Sequence, residues 1–141
     1  MTDRYGAIVI GVGGMGSATA YHLASRGIET LGLERYDVPH EMGSSHGVTR
    51  IIRKPQYEHP AYVPLVERAY ELWEELEART GRELLHVTGG LDAGPSGSRI
   101  VEGSLRSCET RDIEHELLTG PEVNERFPGY DLPEDHRAVY Q

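Results

Sequence analysis

An α/β fold class is predicted for this 141-residue chain, with a strand–helix–strand unit at its N-terminus and the start of an α+β region behind it. Three observations predict it. A β-branched run at residues 5–10 (YGAIVI) leads directly into a glycine cluster. An alanine-rich stretch at helical spacing follows. A second apolar run then begins at Thr30 and ends on an acid, Glu34.

Each element has a local reason. Residues 5–10 show no polar alternation, as expected of a parallel strand buried on both faces. Residues 17–26 place alanines and Leu23 on helical spacing, and Gly27 is a natural helix stop before the strand at 30–34. Strand, tight turn, helix and strand within about 30 residues make a βαβ unit, whose crossover is almost always right-handed. Residues 35–60 are irregular and rich in Gly, Ser, His and Pro, and a loop of that length is usually functional or disordered.

The spacing of Val63, Val66, Tyr70, Trp73 and Leu76 predicts an amphipathic helix over 61–80. Glu67, Arg68, Glu71, Glu74 and Glu75 take its other face, and Gly81 closes it. Residues 86–93 predict a strand or hairpin, 94–97 a turn, 98–110 a helix and 113–118 a strand. Thr119 with Glu122, and Pro121 in the first turn, predict a capped short helix that stops at Pro128 and Gly129. Ala138, Val139 and Tyr140 read as the start of another strand. These elements divide the chain at residues 80 and 81. A doubly wound sheet needs several covered parallel strands, and the first 34 residues supply two. The sequence is therefore expected to be part of a longer, truncated chain rather than a self-sufficient small α+β fold.

The net charge of −9 argues against nucleic-acid and anionic-membrane partners, because binding phosphates needs clustered cations. No apolar run approaches the length of a membrane span. Cys108 is the single cysteine and fits a reducing compartment. No secretion leader is read at the start, and the expected location is cytoplasmic.

Gly11, Val12, Gly13, Gly14, Met15 and Gly16 satisfy GxGxxG immediately after a strand and at the start of a helix. Gly11 permits the tight turn, Gly13 lets backbone approach a pyrophosphate, and Gly16 allows close helix–strand packing. The helix N-terminus offers unpaired N–H groups and the positive end of its dipole. Glu34, 23 residues beyond Gly11, is placed to accept hydrogen bonds from a ribose hydroxyl, with Arg35 beside it. The same carboxylate repels a 2′-phosphate and so disfavours NADP. This is the Rossmann-like signature of a dinucleotide, and it does not separate FAD from NAD. A tight turn beside a solvated acid is the plainer alternative.

Residues 43–54 (GSSHGVTRIIRK), placed after such a unit, resemble the sarcosine oxidase family of flavoproteins. Tyr62-Val63-Pro64-Leu65, Glu71-Leu72-Trp73, Thr88-Gly89-Gly90-Leu91 and Arg126-Phe127-Pro128-Gly129 are similar to that family as well. The resemblance covers nearly the whole chain and about the first third of a family-length protein. It implies a Rossmann-like FAD-binding part over residues 1–80, the start of a substrate-binding domain over 81–141, and oxidation of secondary-amine or N-methyl amino acids, such as sarcosine or pipecolate. Molecular oxygen would be the acceptor and hydrogen peroxide a product.

The resemblance also implies that the position of Arg53 binds the substrate carboxylate, that of Arg50 lies against the flavin ring, and that of His46 belongs to the active site. Ser44, Ser45 and Thr49 fall in the loop lining the cofactor, although some members carry a second histidine where this chain has Ser45. The chemistry is sound in itself. A guanidinium grips a carboxylate bidentately, a second one stabilises negative charge near the ring, and a histidine can adjust the amine's protonation. Surface salt bridges are the alternative role for both arginines. His40 and His46 lack any zinc-type spacing, and Cys108 does not match the distant cysteine that often holds flavin in the family. A NAD-dependent dehydrogenase would explain residues 1–34 but not 43–54. A non-catalytic flavoprotein fragment is the rival of another class.

Overall fold

A computed structural model describes residues 4–141. They form two compact units, one running to Ile51 and the other Ile52–Gln141.

In the first unit, β1 (Ala7–Ile10), α1 (Gly14–Ala24) and β2 (Thr30–Leu33) follow one another. β1 and β2 pair in parallel from Ala7 opposite Thr30 to Ile10 opposite Leu33. The Gly11 N–H donates to the Leu33 carbonyl at 2.7 Å, carrying the ladder one step into the turn. The βαβ unit expected from the sequence is thus present. Its strands are not buried on both faces, however. Ala7 and Val9 are half-buried while Ile8 is 58% and Ile10 87% exposed. Among the described residues the sheet has two strands, and α1 is the helix in contact with both.

The second unit opens with the segment carrying Arg53, then a 3-10 turn at Pro60–Tyr62 and α2 (Val63–Thr80). Gly81 ends α2 in the left-handed region, at φ 65°, and its N–H donates to the Glu77 carbonyl. The Glu77 carboxylate accepts the Leu84 and Leu85 amides at 2.5 and 2.8 Å, which fixes the exit from the helix. Of the expected apolar face only Val63 is fully buried; Trp73 and Leu76 stay more than a third exposed. α2, expected in the part that ends at residue 80, lies in this second compact unit.

β3 (Leu91–Pro95), α3 (Arg99–Arg111), β4 (Glu116–Thr119), α4 (Gly120–Arg126) and β5 (His136–Tyr140) complete the unit. β3 starts later than the 86–93 run suggested and continues through Gly94 and Pro95. The turn comes after them, with the Ser98 N–H donating to the Pro95 carbonyl. The last strand begins at His136, before Ala138, and is the central strand of a three-stranded antiparallel sheet ordered β3-β5-β4. The capping box at Thr119 and Glu122 is present in both directions.

The core is Val101 and Cys108 of α3 packed on Val139 of β5, with Leu105 and Ile113 beside them. Burial pushes the Cys108 thiol up to about 11, aided by the nearby Asp92 and Glu109 charges. α3 also anchors the Arg53 segment: the Ser107 hydroxyl donates to the Gln56 carbonyl at 2.6 Å and Arg111 to the Pro60 carbonyl at 3.1 Å. Gly103 permits that docking, since a Cβ there would collide with the Tyr57 carbonyl. No helix of the described residues is long and apolar enough to cross a membrane.

Gly103→Ala is expected to destabilise the second unit by about 1–3 kcal/mol through overpacking. Denaturant unfolding followed at the buried Cys108 thiol measures this. An unchanged midpoint would contradict the close packing of α3 on residue 57.

Candidate functional site

The glycine turn is built as its motif requires. Gly11 takes φ 86°, a conformation side chains rarely allow. A Cβ on Gly16 would strike the Gly11 carbonyl, so only glycine lets α1 start this close to the strand end. A Cβ on Gly13 would meet no protein atom within 4 Å, leaving the backbone open on that side. No side chain caps α1 and its first turn holds no acid. The amides at the start of α1, beyond the bonded Gly11 and Val12, and the helix dipole are therefore available to an anion.

Glu34 closes this turn from the end of β2. Its Oε2 accepts the Val12 N–H at 2.7 Å, and its Oε1 accepts the amides of Arg35 and Tyr36 at 2.7 and 3.2 Å. These bonds, Val12's first and Tyr36's next, hold the carboxyl down at about 2, far below its ordinary 4.5. An acid so held stays ionised across the physiological range and keeps acceptor capacity for a hydroxyl donor. The Arg35 guanidinium lies over the Tyr36 ring at 5.5 Å. Met15 is 85% exposed at the helix start.

The loop after β2 returns to the turn. The Ser45 side chain occupies the space that a side chain on Gly14 would need. Arg50 folds back over Gly47 and donates to the Ser44 carbonyl at 3.0 Å and the Thr49 carbonyl at 2.9 Å, closing residues 44–50 into one turn. His46 is exposed, with its amide bonded to the Gly43 carbonyl at 3.2 Å. The structure thus brings Ser45 to the glycine turn and Arg50 to Ser44 and Thr49.

Arg53 belongs to the second unit. Its guanidinium stacks on the Tyr57 ring at 5.2 Å and lies 3.8 Å from Asp92 and 4.0 Å from Glu58. Asp92 is itself held by the buried Ser104 hydroxyl at 2.5 Å. Among the described residues none of the Arg53 side-chain N–H groups makes a hydrogen bond to protein. The charge is oriented by its neighbours while its donors remain unspent, an arrangement that can accept a planar carboxylate. Residue spacing in the sequence does not mark Tyr57, Glu58 or Asp92 as its partners. Only Tyr57 and Glu58 were near enough in sequence to be suspected. His40 likewise carries no signal in the sequence, yet its Nε2 lies 3.5 Å from the Glu34 carboxylate.

Strand, glycine turn, uncapped helix and buttressed acid together define an α/β dinucleotide-binding protein. The chain belongs to the FAD dependent oxidoreductase family, whose profile matches residues 7–141. That match resolves the choice between FAD and NAD that the glycine motif left open. Monomeric sarcosine oxidase of Streptomyces avermitilis is 49% identical over 141 residues, which is all of this chain and 37% of that protein. N-methyl-L-tryptophan oxidase of Yersinia pestis is 37% identical over 97% of this chain and 37% of its own length. Among solved structures, NikD, an unusual amino acid oxidase essential for nikkomycin biosynthesis, superposes with a TM-score of 0.82 at 30% identity. It covers 99% of this chain and 36% of its own. L-proline dehydrogenase from P. horikoshii superposes at 0.78 with 25% identity. The chain thus spans little more than a third of the relatives it matches.

The pKa of Glu34 is open to a direct check. The folded value lies below the ordinary one, so the carboxylate's stabilising bonds are complete above pH 4.5 and are lost as pH falls toward 2. An NMR titration of the Val12 and Tyr36 amide shifts should step near pH 2, and Glu34→Gln should abolish the step. A midpoint at 4.5 would mean that those amides do not bond the carboxylate.

Proposed function

We propose that the protein carrying this chain oxidises secondary-amine or N-methyl amino acids, of the sarcosine or pipecolate kind, in the cytoplasm. Molecular oxygen is the acceptor, and the products are hydrogen peroxide and an imine that water hydrolyses. The observation that carries the reading is Arg53, a guanidinium oriented by Tyr57, Asp92 and Glu58 with its donors unspent. When bound, FAD supplies the two-electron acceptor that no side chain provides.

In this reading the amides of residues 13–16 face the pyrophosphate and Glu34 accepts a ribose hydroxyl. Ser44, Ser45 and Thr49 line the cofactor. Arg50 sets a permanent positive charge against the flavin ring, favouring electron density there. Arg53 grips the substrate carboxylate through paired N–H···O bonds, which fixes the carbon next to nitrogen for oxidation. His46, in the same loop as Arg50, is the group that can exchange a proton with the amine.

Arg53→Met should lower kcat/KM for sarcosine by tens to thousands of fold, about 2–5 kcal/mol, the usual cost of losing one partner of a buried charged pair. Steady-state peroxide release from the flavin-loaded protein measures it, with flavin content determined alongside. Unchanged kinetics would remove Arg53 from substrate binding. Loss of flavin together with activity would move it to the cofactor.

A further inference from the structure

We propose that His40 is a cofactor-binding residue: with Glu34 it forms a two-sided clamp on one hydroxyl of the adenosine ribose. Glu34 accepts the hydroxyl's hydrogen and the His40 Nε2–H donates to its oxygen. The inference rests on the reading of Glu34 as the ribose acid.

An ionised carboxylate offers about four acceptor positions. Three are filled in Glu34, by the amides of Val12 on Oε2 and of Arg35 and Tyr36 on Oε1. The remaining position is on Oε2, and the His40 Nε2 lies 3.5 Å from that same oxygen. The other ring nitrogen, Nδ1, accepts the Met42 N–H at 3.1 Å. A nitrogen that accepts a hydrogen bond carries no proton, so the proton of the neutral ring sits on Nε2. Its nitrogen lies 3.5 Å from Glu34 Oε2, longer than a formed N–H···O bond. Among the described residues it has no other hydrogen-bond acceptor.

One unbonded donor and one unfilled acceptor position therefore lie side by side, 3.5 Å apart. A hydroxyl, which donates once and also accepts, can satisfy both. A bare anion would be repelled by Glu34, and an apolar group would leave both unpaired. The clamp is also preorganised. The His40 ring packs against Tyr36, with centroids 5.2 Å apart at 58°. The His40 and Glu34 side chains are only 15% and 12% exposed. Little side-chain freedom is left to lose on binding.

The test uses full-length apoprotein prepared in a riboflavin-starved host and titrated calorimetrically with ADP, 2′-deoxy-ADP and 3′-deoxy-ADP. ADP carries the ribose and pyrophosphate without the flavin. Wild-type protein should bind ADP about tenfold more tightly than the analogue lacking the clamped hydroxyl, the scale of a hydrogen bond to a charged group. His40→Leu should weaken ADP binding about five- to tenfold and leave that deoxy analogue unchanged, so that the preference collapses. His40→Gln, which keeps an N–H donor, should restore most of it. Equal weakening of all three ligands by His40→Leu, or a preserved preference, would overturn the clamp. Glu34→Gln separates the two readings. If it abolishes the preference while His40→Leu does not, Glu34 holds the ribose without His40; if neither variant changes it, both assignments fall.

Discussion

The bond from the Val12 amide to the Glu34 carboxylate ties together what the rest of the first unit depends on. It joins the glycine turn at the end of β1 to the residue that ends β2, spanning 22 positions in sequence. The turn has little of its own to hold it. Its glycines carry no side chains to pack, and glycine loses more backbone freedom on folding than any other residue. A charged acceptor at 2.7 Å compensates, since hydrogen bonds to ionised groups are about twice as strong as neutral ones. The same carboxylate thus lies beside the glycine turn that leads into α1. One side chain both stabilises the turn and prepares it for a polyhydroxylated, phosphate-bearing ligand.

Electrostatics in the second unit follow a different logic. Arg53 is surrounded by acids, yet neither ion pair is close enough to be a hydrogen bond. Partly exposed pairs at such distances stabilise little. Their effect is to orient the guanidinium over Tyr57 without consuming its donors. The anchoring of residues 56 and 60 by α3 adds the mechanical part, because the helix whose Ser104 holds Asp92 also holds the segment bearing Arg53. A binding group placed on rigid elements keeps its geometry better than one left to a free loop.

Local patterns made much of this legible. The βαβ unit, the ends of α2 and α3, and the Thr119 capping box each rest on residues within a few positions of one another. Spacing and turn chemistry report such contacts directly. The order β3-β5-β4 was not legible, because pairing Leu91 with Tyr140 joins positions far apart, and no local pattern encodes antiparallel partners at that range. β3 was displaced from its expected place because its glycine and proline read as a turn, whereas both fit a strand at the edge of its sheet. At the site, the glycines and Glu34 carried their own signature. His40 did not: a histidine six residues from an acid in an irregular loop looks like any other until the chain folds back. Asp92 was hidden for the same reason, lying 39 positions from Arg53.

The uncovered face of the first sheet follows from the same comparison of pattern with packing. A parallel strand reads as a continuous apolar run when both faces are covered, and residues 7–10 read that way. Here the alternation is imposed by position instead of composition: Ala7 and Val9 are sheltered while Ile8 and Ile10 lie open, and Leu33 on β2 is 47% exposed. Exposing several branched side chains side by side costs about 1.5–3 kcal/mol each relative to burial, a large fraction of a domain's usual stability. The sequence of β1 is thus matched to a sheet with cover on both sides. The relatives that share this unit are also much longer, with the chain spanning 37% of the Streptomyces avermitilis oxidase. The unit's nucleotide-facing chemistry is independent of that cover, because the Gly11 turn, the start of α1 and Glu34 are held by bonds within the first 36 residues.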